Sequence, residues 1–127
     1  MTTPFPPDDE LQKLLEAHVD NVEVHFTPYN ESRDARAARG ANNGVLPDGI
    51  DVPEIDDTTQ EIWARTHIFV GIDMPSSAEK LAPNLRWFQT VSAGIDQVDQ
   101  QQLARIGARL SSASGVASAS IAEFVMA

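Results

Sequence analysis

Two short strand-like runs, the continuously apolar HIFVGI at residues 67–72 and LRWFQTV at residues 85–91, constrain this chain more than any other feature. Each is too short for a buried helix, and the first has the composition of a strand covered on both faces. Between them, Ser76 and Glu79 have the spacing of a capping box, which predicts a short helix. After the second run, Asp99 and Gln102 repeat that spacing, Gly107 stops the helix, and ARLSS reads as a weaker last strand.

Upstream, Pro6-Pro7-Asp8-Asp9 marks a helix start, and Leu11, Leu14, Leu15 and Val19 follow at helical spacing. VEVHF then alternates Val22, Val24 and Phe26 against Glu23 and His25, the pattern of a half-buried strand. Residues 31–39 favour helix with Gly40 as its stop, residues 40–56 hold only turn signals, and a short helix is expected over 57–65. TTPF is too short for a strand and carries a proline, so the first helix is expected to lack a strand before it. Strands alternating with helices predict one α/β domain with an open, mostly parallel sheet and helices on both faces.

The chain has 127 residues, enough for one core without metal or disulfide support. It has no cysteine, which excludes disulfides, thiolate zinc sites and a cysteine nucleophile and suits a reducing cytoplasm. The N-terminal MTTPFPPDDE does not read as a secretory signal, and no apolar run has the length of a membrane span. Nine basic against nineteen acidic residues give a net charge of −10, so the basic footprint of a nucleic-acid partner is missing. Thirteen of the acids fall in residues 1–60, which predicts that any anion site lies in the nearly balanced later half.

The run LRWFQTV breaks into Ser92-Ala93-Gly94. In an open parallel sheet, ligands bind beyond the C-terminal strand ends. Small residues there either make a plain turn or let successive main-chain N–H groups hold a carboxylate or phosphate. Both readings fit these residues.

The wider pattern extends over residues 81–127: PNLRWFQTVSAGID, then LARIGARL, then SGVASASIAEFVMA. In order and spacing these three segments resemble the D-isomer-specific 2-hydroxyacid dehydrogenases. The resemblance implies a flavodoxin-like substrate-binding domain over residues 1–117, followed at 118–127 by the start of the helix that crosses into a nucleotide-binding domain. It implies that the main-chain amides of Ala93 and Gly94 bind the substrate carboxylate beside Ser92, and that Asp96 fixes the loop, a role compatible with capping a helix. Gly71 and Ile72 are expected to face the same cleft, and Ile121 on the crossing helix to brush the cofactor. Glu123 has a structural reading, and Ser112 stands where many relatives carry asparagine.

The family transfers hydride between NAD or NADP and C2 of a 2-oxo or 2-hydroxy acid. Its arginine, its histidine with a supporting carboxylate and its G-x-G-x-x-G turn all follow the crossing helix, so none is expected here, and no such turn occurs in the chain. The piece is expected to be inactive alone, to bind neither cofactor nor metal, and to self-associate through exposed apolar surface, whereas the parent enzyme would be a homodimer. His18, His25 and His67 read as incidental, and Arg33, Arg36 and Arg39 as a solvated helix face paired with nearby acids. Trp63 and Trp87 read as core or interface residues. The rivals are a free-standing flavodoxin- or receiver-like module and a non-catalytic interaction fragment.

Overall fold

The computed structural model describes residues 1–6, 8–18 and 20–126. Five strands form one parallel sheet in the order β2-β1-β3-β4-β5. They are β1 (Thr2–Thr3), β2 (His25–Phe26), β3 (Ile68–Gly71), β4 (Trp87–Thr90) and β5 (Arg109–Ser111). Phe69 pairs with Thr2 on one side and Phe88 on the other, and Phe88 with Leu110. This order, which starts in the middle and grows outward both ways, is that of flavodoxin-like folds and puts the topological switch point between β1 and β3.

The helices are α1 (Asp9–His18), α2 (Arg33–Ala41), α3 (Asp57–Ala64), α4 (Ala78–Leu81), α5 (Gln100–Arg105) and α6 (Ser118–Met126). Crossovers between parallel strands are right-handed. The step from β1 to β2 therefore lays α1 on one face, and the steps from β2 out to β5 lay α2 to α5 on the other. The core lies under this second group. Trp63 packs edge-on against Tyr29 and Phe69, with ring centroids 5.5 and 5.1 Å apart, and Phe69 against Phe88 at 5.7 Å. Met74, Ala78, Leu85, Val98 and Leu103 complete it. The Trp63 indole N–H donates to Thr27 Oγ1 at 3.0 Å, so the largest core side chain leaves no polar atom unpaired.

The N-terminus differs from the sequence expectation. TTPF does supply a strand, and it is a central one. Two residues suffice because both edges are paired: His25 N donates to Met1 O and Thr27 N to Thr3 O, each at 2.9 Å, while Thr2 aligns with Phe69. Pro4 follows the ladder and costs it no donor. The alternation predicted through Phe26 also fails at its end, since Phe26 is 44% exposed. Asp8 starts α1, accepting from Glu10 N at 2.8 Å. Leu14 on this helix is exposed, while Val19 and the side chains of Leu11, Leu15 and His18 lie outside the described residues.

Three other local expectations change. α2 does not stop at Gly40 but continues to Ala41, and its exit uses the positive φ of Asn43 (53°) and Gly44 (85°). Glycine is required at 44, where a Cβ would lie 2.2 Å from Val98 O. The Ser76–Glu79 capping box is absent, because Ser76 Oγ accepts from Arg39 and Glu79 pairs with Arg105 at 3.0 Å. The second box is half formed: Asp99 accepts from Gln102 N at 2.9 Å, but buried Gln102 spends its amide on Pro75 O and Glu79 N.

β3 and β4 are not covered on both faces. Trp87 is 41% and Val91 40% exposed. The Trp87 indole finds its partner on the open face, donating to Ser111 Oγ at 2.7 Å. α6 covers neither face, and each of its described residues is exposed. No helix among the described residues is long and apolar enough to cross a membrane.

Candidate functional site

At the C-terminal strand ends, a cleft of about 410 Å³ is lined by Ile72, by Ser92, Gly94, Asp96 and Gln97, and by Arg33, Arg36, Ala37 and Gly40 of α2. The α2 residues recur at i, i+3, i+4 and i+7, one stripe of the helix. Ala37 and Gly40 keep that stripe low, so α2 passes close to the loop: a Cβ on Gly40 would lie 3.8 Å from Asp96 Cβ.

The loop after β4 is held by Ser92. Its main-chain N–H donates to Thr90 Oγ1, and its Oγ donates to Gly94 O at 2.6 Å while receiving Gln97 Nε2 at 3.1 Å. The Ser92 carbonyl takes Ala113 N at 3.1 Å. Ser92 is thus committed to the protein and positions the loop. The amides of Ala93 and Gly94 are the reverse: among the described residues no acceptor takes either N–H, and both residues are exposed. Gly94 has an ordinary φ, and a Cβ there would meet nothing within 4 Å. The glycine therefore carries no backbone strain, and the space beside its Cα is open.

Asp96 does not cap a helix, since that role belongs to Asp99, and its exposed carboxylate lies on the cleft rim. Gly71, expected to face the cleft, is not among its lining residues; a Cβ there would come within 3.0 Å of Phe69 and 3.2 Å of Pro4, so glycine serves the close approach of β1's end. Ile72 lines the cleft as expected. Ile121 is 61% exposed on α6 and is not among the lining residues. Ser112 accepts only a long bond from Ser114 N, 3.4 Å.

The arginines of α2 are not all on a solvated face. Arg39 is buried, with Nε and Nη2 each 2.7 Å from the Glu31 carboxylate and Nη1 2.9 Å from Gly44 O. Tyr29 donates to the same carboxylate at 2.7 Å. Burial pushes the Tyr29 hydroxyl's pKa well up, reinforced by Glu31. Burial pulls Arg39 down, but the hydrogen bonds and charge of Glu31 outweigh it, and the net shift is upward. Asp73, just past β3, is also buried and accepts Glu31 N at 2.8 Å. It holds Arg36 in a fork, Nε to Oδ1 at 2.7 Å and Nη2 to Oδ2 at 2.8 Å, and these bonds raise the Arg36 pKa further. The expected pairing with acids holds for Arg36 and Arg39 but not the expected solvation of Arg39, whereas Arg33 is exposed and has no ion-pair partner among the described residues. The low stripe of Ala37 and Gly40 beside two arginines was the legible signal, whereas the distant partners Glu31 and Asp73 were not.

The turn from β1 to α1 does not fit a dinucleotide or flavin phosphate. Pro4 and Pro6 have no N–H to offer, Phe5 N turns back to Thr3 Oγ1 at 3.3 Å, and Asp8 occupies the helix start. A receiver-like acidic site is disfavoured too: Asp73 is spent on Arg36, and the described residues contain no cluster of three His, Cys, Asp or Glu placed to share a metal ion. His25 contacts Glu23 at 3.1 Å, and His67 is exposed at the opposite strand end, so neither reaches the cleft. Compared with family models, with curated proteins and with solved structures, the chain matches none.

Proposed function

We propose that this chain is the substrate-binding domain of an NAD- or NADP-dependent oxidoreductase acting on D-2-hydroxy acids and the corresponding 2-oxo acids. The observation that carries the reading is the pair of uncommitted amides, Ala93 and Gly94, on a loop held by Ser92, with Gly94 lining an open cleft at the C-terminal edge of a flavodoxin-like sheet. Ligands of such sheets bind at this edge. Two adjacent uncommitted main-chain donors suit a carboxylate, and charge-assisted bonds of this kind contribute about 1.5–3 kcal/mol each. Ile72 provides an apolar wall beside them. The segments PNLRWFQTVSAGID and SGVASASIAEFVMA, whose pattern resembles the D-2-hydroxyacid dehydrogenases, support the same assignment.

The chain's own part is to bind and orient. Its described residues offer no cradle for the cofactor, and no hydride or proton step is assigned to them. The domain would act with a nucleotide-binding domain that supplies NAD or NADP and the acid–base groups.

Gly94→Val tests the reading. Because the space in front of Gly94 is open and its φ is ordinary, the variant is expected to melt with the wild type. Its side chain then stands where a carboxylate would approach. Calorimetric titration with a 2-oxo acid should show binding weakened at least about tenfold, a loss of roughly 1.4 kcal/mol. A folded variant with unchanged affinity makes the loop a plain turn.

A further inference from the structure

Resting on that reading, we infer that the acid bound here carries a second anionic group, received by Arg36 and Arg33 of α2. The two arginines and the Ser92–Gly94 loop line one cleft, and their states differ in a telling way. Arg36 is fixed: the Asp73 carboxylate is buried and grips Nε and Nη2, so the guanidinium is held in one orientation, and among the described residues Nη1 is bonded to no acceptor. Arg33, one turn earlier on the same stripe, is exposed and pairs with no acid among the described residues. A rigid donor beside a free one suits an anion that enters and leaves. Asp73 already neutralises the Arg36 charge, so Arg36 contributes oriented N–H groups while Arg33 contributes the net charge.

The remaining charge in the cleft sharpens the picture. Asp96 lies on the loop side of the rim and repels an anion placed near it. Because Asp96 faces α2 at Gly40, the second anionic group sits toward Arg33 and Arg36 nearer the start of α2, with the first on the Ala93 and Gly94 amides and the carbon chain against Ile72. A cleft of about 410 Å³ accommodates a short dianion of this kind. The second group is a carboxylate or a phosphoryl group, and both are read by arginine through the same paired N–H geometry. Asp73 is a positioning residue for Arg36, and Arg33 a determinant of specificity.

The test titrates the intact chain with 2-oxopentanoate, 2-oxoglutarate and phosphonopyruvate, following the Ala93 and Gly94 amides by NMR. Both dianions are expected to bind at least about tenfold more tightly than 2-oxopentanoate, and the tighter one identifies the second group as carboxylate or phosphoryl. Arg33→Gln should remove most of that preference, weakening the dianions far more than 2-oxopentanoate. Asp96→Asn should tighten the dianions selectively. Arg33 and Asp96 are exposed, so neither variant threatens folding. Equal affinity for all three acids, or a preference that survives Arg33→Gln, overturns the inference and leaves the 2-oxo acid reading standing. If no acid moves the two amides, both fall together.

Discussion

Arg39 is about as buried as any residue in the core, and it stays charged because four of its five N–H donors are answered: two by Glu31, one by Gly44 O, one by Ser76. Removing one member of such a pair leaves the other charge unpaired, which costs about 3–5 kcal/mol. Tyr29 is the outer member and gives a cleaner readout. Its hydroxyl donates to Glu31, and burial holds it protonated far beyond its ordinary range. Since the folded pKa is raised above the unfolded value of about 10, the phenol's contribution is complete below pH 10 and is lost as pH climbs above it. Tyr29→Phe is expected to cost about 1 kcal/mol at pH 8. That gap should close near pH 11, where the wild type must deprotonate to unfold favourably and the variant need not. Urea midpoints at the two pH values check this, and a gap that stays constant or widens would contradict it.

Among the elements, α6 contributes least to the fold. Phe124, Val125 and Met126 are 84%, 75% and 86% exposed, and Ile121 is 61% exposed. A chain ending at residue 117 should therefore keep its melting temperature within about 2 °C, the scale of a surface change of 0.5 kcal/mol or less. It should also self-associate less, because exposed apolar patches drive association. Sedimentation velocity of both chains over a hundredfold concentration range reads this directly. Equal association would move the sticky surface to the bare sheet face around Trp87. The elements with strong local signals were legible in sequence: Asp56 caps α3, Asp99 caps α5, and Gly107 turns out of α5 with φ 71°. What escaped depends on tertiary partners. Two threonines become a strand only because β2 and β3 flank them, and Ser76 abandons its cap only because Arg39 arrives from α2.

At the scale of the whole molecule, two regions far apart in sequence make one cleft. The loop 92–97 comes from the nearly charge-balanced later half, where an anion site was expected, but the arginines facing it come from the acidic first half. Charge counted along the chain missed this because the β2-β1-β3 crossover folds α2 over the C-terminal strand ends beside the loop. The loop's place at a strand end was legible from LRWFQTV running into three small residues; which amides stay unclaimed was not. The central claim is that Ala93 and Gly94 hold a carboxylate. The measurement that tests it most directly is an NMR titration of the isotope-labelled chain with 2-oxoglutarate, against sodium chloride at matched ionic strength. The account predicts saturable shifts largest at the Ala93 and Gly94 amides, falling off through Ile95 and toward Arg33 and Arg36, and absent with chloride. Saturable shifts centred elsewhere, with both amides unmoved, would contradict it.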